Sequence, residues 1–370
     1  VVMGSVKDLL VLEPAYENRV GVGNFVFSDR YSVFDWGEMP DQIAAKGRAL
    51  AVMAAFNFEQ LENRGVCTHY QGLVGSSGKL LRFGDLEEGS GGLVTMQVSL
   101  ARVYHPIVRE FRSGEQVEVH YDYTFFERHR GRINNYLVGL EIIFRNGLPL
   151  GSSVFKRIER AGQLADRKQA GAQLGRILKE LGVKEPPQPG QMLPAPVMSY
   201  TTKLEAGDRE LERRQAYRLS GLPRREFNAL DGLALRVNRV ITEQAERTGF
   251  AHYDGKIETV WNDGLLVCDV IGTFDENRFA FQGEQVSKEV LRQWYKRNQP
   301  EFVSACDRWK RTGPGWQKKC EVKPRKLPAE FATLASQMYM SGCNRYTGKR
   351  VFDSPPLEQV MERLKSQVEA

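Results

Sequence analysis

The segment Tyr253–Asp269 constrains the fold more than any other part of the chain. Two β-prone runs flank Asp263-Gly264, a pair that suits a two-residue type I′ turn because both central positions need φ > 0. This predicts an antiparallel hairpin within Lys256–Ile271 in which Val260 opposes Val267, Thr259 opposes Cys268, and Glu258 lies opposite Asp269. Strand alternation places Asp254, Lys256 and Glu258 on one face.

Directly opposed carboxylates repel. A divalent cation would remove the conflict, and Mg²⁺ held by one or two carboxylates with water and phosphate oxygens is a common nucleotide arrangement. A lysine among the acids can balance charge or reach a phosphate. On the hairpin alone, a metal pair and a solvent-facing strand of mixed charge both stay open.

The rest of the chain reads as strands first and helices later, which suggests α+β. Ser5–Leu12 and Asn24–Asp29 read as strands, and Lys46–Arg64 as a helix with Gly65 as its stop. Gln116–Phe125 alternates, and Leu137–Phe144 is nearly continuously apolar, as a central strand would be. Five prolines in 181–196 mark a loop and a candidate boundary. Arg224–Arg247 repeats apolar residues at i+3/i+4 and ends before Gly249. Further helices are expected at Ser287–Asn298, Ala329–Tyr346 and Pro356–Val368, with a basic loop over Arg311–Pro328. A β-rich lobe over 1–145 and a mixed lobe with C-terminal helices over 146–370 is the expected division.

The 370 residues carry 52 Lys+Arg against 46 Asp+Glu, a net charge of +6. The basic residues fall in short local stretches, Arg128–Arg132, Arg308–Arg311 and Lys318–Lys326, without a zinc finger, basic zipper or aromatic RNA-binding strand. That favours a receptor for small anions over a nucleic-acid surface. The five cysteines form no C-x-x-C pair, which argues against a zinc site or disulfide framework and fits a reducing cytosol. No apolar run approaches the roughly 20 residues of a membrane span, and Val1–Glu13 lacks the layout of a secretory signal. A cytoplasmic protein is expected.

Other candidate anion receptors are Gly4-Ser5-Val6-Lys7, a glycine-containing turn followed by a lysine, and Arg145, which leaves a buried strand toward Gly147 and Gly151-Ser152-Ser153. An arginine fork beside backbone N–H groups suits a phosphate. Each also reads as an ordinary turn with a structural side chain. Asp29, Arg30 and Asp35 lie in a loop after a strand, where Asp29 and Arg30 can form a structural pair. His105, His120 and His129 read as packing residues.

Taken together these segments resemble the SAICAR synthetase (phosphoribosylaminoimidazole-succinocarboxamide synthase) family. Ser28-Asp29-Arg30-Tyr31-Ser32-Val33-Phe34-Asp35 with Lys46-Gly47 resembles its N-terminal block. Leu140-Glu141-Ile142-Ile143-Phe144-Arg145 with Gly151-Ser152 resembles its first signature. Asp254-Gly255-Lys256-Ile257-Glu258, Asp269, Gly272-Thr273, Asp275, Arg278-Phe279 and Ser287-Lys288-Glu289 resemble its second. The blocks keep family order from Gly4 to about Trp294, and Leu327–Lys349 resembles a terminal helix of longer members. Gly139 stands where the family commonly has Pro, and Ala44-Ala45 precede Lys46-Gly47 where Pro-Gly is usual. The spacing from Arg145 to Ser152 is one residue longer than common, leaving Ser152 and Ser153 as alternatives.

The resemblance implies an α+β, two-lobed fold, distantly like ATP-grasp enzymes and kinases, with nucleotide in a cleft between lobes. It implies ATP-dependent ligation in de novo purine biosynthesis: the carboxylate of the imidazole ribonucleotide CAIR is activated by phosphorylation, and L-aspartate's amine displaces phosphate to give SAICAR. It also implies roles. Gly4, Lys7, Glu141 and Lys256 would bind ATP, and Glu258 and Asp269 would hold Mg²⁺. Arg145, Ser152 and Arg278 would hold the ribonucleotide, Lys256 and Asp275 would be catalytic, and Asp29, Arg30 and Asp35 would shape the substrate side. Family members often form oligomers.

Three rivals differ in what they predict. A kinase-like phosphotransferase acting on a hydroxyl has less need of Arg145 and Arg278. A nucleic-acid-binding protein predicts steeply salt-dependent affinity and leaves Glu258 and Asp269 unexplained. A related ligase would use another amine.

Overall fold

The computed structural model describes residues 1–113, 116–312 and 315–369. A five-stranded antiparallel sheet of order β1-β2-β5-β3-β4 contains β1 (Lys7–Glu13), β2 (Gly21–Phe27), β3 (Tyr70–Val74), β4 (Leu80–Leu81) and β5 (Thr95–Leu100). A separate hairpin follows, β6 (Ile107–Ser113) with β7 (Gln116–Asp122). The alternating run therefore ends earlier than expected, and Thr124 opens a short helix.

The second sheet has the order β11-β10-β9-β12-β14-β15. It comprises β8 (Tyr136–Leu137), β9 (Leu140–Leu148), β10 (Gln191–Thr202), β11 (Glu210–Leu211), β12 (Phe250–Trp261), β13 (Leu265–Cys268), β14 (Arg278–Phe281) and β15 (Glu284–Gln285), with β8 and β13 also pairing with β12. The continuously apolar strand is central, as its composition requires, and the 145/146 division falls inside it. The proline-rich stretch is part loop and part strand. Pro194 and Pro196 lie where the β10–β9 register shifts between Met192 and Val197, a place where a missing N–H is tolerated.

The helices are α1 (Lys46–Glu62), α2 (Thr124–Arg128), α3 (Ser153–Gly162), α4 (Arg167–Leu181), α5 (Arg213–Ser220), α6 (Arg224–Arg247), α7 (Glu289–Asn298), α8 (Pro300–Trp309), α9 (Trp316–Lys319), α10 (Ala329–Thr347) and α11 (Leu357–Glu369). Within the expected basic loop, Trp316 is buried and packs edge-on against Trp36; residues 313 and 314 of that stretch lie outside the described residues.

Helix α1 is buried along most of its length, from Ala49 to Phe56. It packs on the five-stranded sheet and on α10. A Cβ on Gly47 would lie 2.8 Å from the Ser28 backbone, so only glycine allows this approach. The apolar stripe of α6 covers one face of β9 and β12, burying Leu140, Ile142, Phe144 and Ile257. The opposite face is left for polar side chains.

The two sheets meet through backbone bonds at one edge. His69 N donates to Val267 O at 3.0 Å and Val267 N donates to Cys67 O at 2.9 Å. Among the described residues all five cysteines are free thiols, and no helix is long and apolar enough to cross a membrane.

Candidate active site

The polar face follows from strand parity. On β9, Glu141, Ile143 and Arg145 point together, because alternate residues share a face. Arg145 pairs in register with Asp254, which pairs in turn with Arg278. Ile143 lies between Ser199 and Lys256, and Glu141 opposes Thr201. One face thus carries two arginines at one end and a lysine–carboxylate lattice at the other.

At the arginine end, Arg145 Nη1 donates to Ser199 Oγ at 2.7 Å, while its buried Nε has no partner. Burial pulls the Arg145 guanidinium below its ordinary value. Arg278 grips Asp254 with both Nε, at 2.8 Å, and Nη2. Ser152 is buried, and its Oγ accepts from Val154 N at 3.4 Å, capping α3. Gly151 has φ 87°, and a Cβ there would lie 2.5 Å from a Glu289 oxygen. Beside Ser199 opens a groove of about 1130 Å³ lined by Arg157, Arg160, Arg176 and Arg213 as well as Glu210 and Asp231.

At the lattice end, Lys256 Nζ donates to Glu141 Oε1 at 2.6 Å and lies 3.4 Å from Glu276 and 3.9 Å from Glu258. Lys203 Nζ lies 2.6 Å from Glu258 and 3.4 Å from Glu141. Lys7 crosses from β1 to reach Asp269 at 2.7 Å.

The expected register needs correction. Glu258 pairs with Cys268, Thr259 with Val267 and Val260 with Leu266, while Trp261 pairs with Leu265. The loop therefore takes three residues, closed by Asn262 N donating to Gly264 O at 2.9 Å. Asp263 is left-handed as expected, at φ 51°. Asp269 lies past the strand at φ 65°, outside the ladder but within electrostatic reach of Glu258. Burial and the charge of Asp269 push the Glu258 carboxyl up to about 7. Burial opposes the ionised form of Asp269 too, but Lys7 leads the lysines that outweigh it and hold Asp269 below the ordinary range.

The other expected site residues each have partners within the protein. Asp29 accepts from Ala45 N at 3.1 Å and Gly47 N at 2.9 Å, satisfying the start of α1. Asp35 is exposed and pairs with Lys310 at 2.8 Å. Asp275, expected to be catalytic, is buried: its carboxylate meets Lys46 Nζ at 2.8 Å and accepts from Tyr339 Oη at 2.7 Å. Lys46 overrides the cost of burial and holds Asp275 well below the usual carboxylate range. Arg30 binds Asp8 at 2.5 Å and the Gly4 carbonyl at 3.1 Å, bracing the turn before Lys7.

A family model described as SAICAR synthetase matches residues 3–308. A curated Archaeoglobus fulgidus protein, named provisionally as phosphoribosylaminoimidazole-succinocarboxamide synthase, is 41% identical over 370 residues, covering 99% of this chain and 100% of that protein. The chain belongs to the SAICAR synthetase family. A Thermoplasma acidophilum phosphoribosylaminoimidazole-succinocarboxamide synthase is 26% identical over 335 residues, covering 88% of this chain and 93% of that protein. In fold the chain is similar to a Saccharomyces cerevisiae SAICAR synthase complexed with SAICAR, at TM-score 0.59 and 21% identity over 95% of each chain. It is also similar to a type-2 SAICAR synthetase in complex with ADP, at TM-score 0.52 and 18% identity over 88% of this chain and 100% of the other.

Within this SAICAR synthetase fold, Lys203 and Glu276 enter the lattice although sequence reasoning did not single them out. Lys203 gives no local signal, since its reach to Glu258 depends on β10 lying beside β9. Glu276 adjoins Asp275 in the second signature, so its neighbour could have drawn attention to it. The α10 and α11 helices lie beyond the residues the SAICAR synthetase model matches.

Proposed function

We propose that this chain is the ATP-dependent ligase that joins the carboxylate of CAIR to the amine of L-aspartate, giving SAICAR, ADP and phosphate in purine biosynthesis. The observation that carries the reading is the shared sheet face, with Arg145 and Arg278 at one end and Lys256, Glu258 and Glu141 at the other. Such a face offers receptors for two phosphorylated substrates in line. A carboxylate is a poor electrophile until phosphorylated, and phosphoryl transfer relies on positioning and charge neutralisation.

In this reading Lys7, Lys256 and the turn at Gly4 receive the ATP phosphates, and Arg145, Arg278 and Ser152 receive the ribonucleotide phosphate. Transfer of the γ-phosphoryl group yields an acyl phosphate and ADP. The amine then attacks the acyl carbon, the C–N bond forms, and the C–O bond breaks as phosphate departs.

Glu258 and Asp269 suit Mg²⁺. They are oxygen donors close enough to perturb one another, and lysines neutralise them in this structure. Among the described residues no group of three or more His, Cys, Asp or Glu side chains could hold an ion, so phosphate and water oxygens would complete the shell. Bound there, Mg²⁺ would neutralise charge on the transferred phosphoryl group. Cytoplasmic location and a homo-oligomeric state belong to the same reading.

The test is ADP release from CAIR and ATP with aspartate, then with other amino acids. Aspartate should support turnover well above the others. ADP release no greater than background with CAIR and aspartate would sink the reading.

A further inference from the structure

We propose that Asp208 accepts the proton that the amine substrate must lose before it attacks, a role that rests on the ligase reading above. An α-amine enters largely as ammonium near neutral pH, and its nitrogen has no free lone pair in that form. The site therefore needs a base that no cation of its own already holds.

Most carboxylates around the polar face fail that requirement. Glu141 and Glu276 serve Lys256, Glu258 serves Lys203, and Asp269 serves Lys7. Asp254 is gripped by Arg278, Asp275 is buried on Lys46, and Asp35 is paired with Lys310. Asp208 lies within the electrostatic influence of Glu141 and Lys256. Among the described residues it makes no hydrogen bond and no ion pair within 4 Å.

The backbone holds it there. Thr202 N donates to Arg209 O at 3.0 Å, and Arg209 N donates to Thr202 Oγ1 at 3.1 Å, clamping the base of the turn between β10 and β11. Lys203 N is fixed to Gly139 O at 3.2 Å, and Ala206 N to Tyr121 Oη at 2.9 Å. The turn thus stands at the lattice end of the sheet: Lys203 reaches Glu258, and Asp208 returns on the opposite limb. Arg209 is committed to Glu205 through two bonds and does not take Asp208.

The charged groups whose fields reach Asp208 are Glu141 on β9, Lys256 on β12, Asp35 before α1 and Lys203 in its own turn. Partial loss of solvent, then the charges of Glu141 and Asp35, outweigh the two lysines and raise its carboxyl to about 6. Asp208 keeps an exposed surface, so an amine can arrive and a proton can leave.

The step balances without another reactant. The ammonium gives one proton to a carboxylate oxygen of Asp208, and the freed lone pair forms the C–N bond to the acyl phosphate. The C–O bond breaks with its electron pair going to phosphate, and the second nitrogen proton leaves with that phosphate.

The test compares aspartate with hydroxylamine, which is largely neutral near neutral pH and traps an acyl phosphate without a base. Asp208→Asn should lower aspartate-supported ADP release about 100-fold or more, the usual scale of general-base loss. The ratio of aspartate-supported to hydroxylamine-supported release should fall by about the same factor, and Asp208→Glu should restore part of it. An unchanged ratio, or aspartate turnover within about threefold of the unsubstituted enzyme, would overturn the role. If the unsubstituted enzyme releases no ADP with CAIR and aspartate, the ligase reading itself fails and this role with it.

Discussion

Lys7 Nζ and Asp269 Oδ1 lie 2.7 Å apart, so a residue of the first strand neutralises a carboxylate that follows the hairpin of the other sheet. Each of the two candidate metal carboxylates is thus held by a lysine from elsewhere in the chain, Asp269 by Lys7 of β1 and Glu258 by Lys203 just past β10. Glu258→Gln and Asp269→Asn should each lower Mg²⁺-dependent ADP release by about 100-fold or more, because charge stabilisation in phosphoryl transfer is strongly exploited. Circular dichroism and melting should show the fold retained. Near-normal turnover by either variant would remove that residue from the metal site.

Arg145 and Arg278 should affect one substrate and spare the other. A charge-assisted hydrogen bond contributes about 1.5–3 kcal/mol, so Arg278→Ala is expected to raise KM for CAIR roughly 10- to 100-fold. KM for ATP should move little, since the arginine end is separated along the sheet from Lys256. Steady-state kinetics with each substrate varied decide this, and an equal rise in both KM values would argue against separate receptors.

The Lys46–Asp275 pair is nearly inaccessible, with side chains 0% and 3% exposed. Removing one member of a buried pair typically costs about 3–5 kcal/mol, whereas replacing both with apolar residues costs far less. Lys46→Met should therefore destabilise strongly, and Lys46→Met combined with Asp275→Leu should recover part of the loss in denaturant unfolding. Additive losses would show that the charges are not coupled.

Acid should weaken the fold through two buried histidines. Burial lowers His69 and His252 to about 4 from 6.5, so both are neutral when folded, while the unfolded chain takes up protons below its own pKa. Their contribution is complete above about pH 6.5 and is lost as pH falls toward 4, by about 1.4 kcal/mol per histidine per pH unit at most. His252→Gln should flatten the slope of stability against pH in that window. An unchanged slope would show that His252 titrates normally in the folded protein.

Local rules made some elements legible. The i+3/i+4 stripe located α6 at Arg224–Arg247, and the continuous apolar run identified β9 as central. Asp263-Gly264 marked the turn correctly, but the dipeptide does not say how many residues the loop takes, and that one residue moved Glu258 from Asp269 to Cys268. Family blocks named Lys256, Arg145 and Arg278 as site residues, but their shared face follows from β9, β12 and β14 pairing in the folded chain. Lys203 and Asp208 were illegible because their place depends on β10 pairing with β9 across the intervening helices α3 and α4. The partners of Asp275, Lys46 and Tyr339, were not legible, because they come from helices far away in sequence.

The placement of Glu141 and Arg145 on one strand has a metric consequence. At about 3.3 Å per residue, four residues of extended backbone set them roughly 13 Å apart, and hydrogen-bonded neighbours on both sides keep that strand from stretching. β9 therefore acts as a gauge block between the two proposed phosphate receptors, Arg145 at one end and Lys256, held by Glu141, at the other. In the proposed ligase, selection by length would come from the backbone, and a single-residue deletion between Glu141 and Arg145 would turn one end of the gauge into the core.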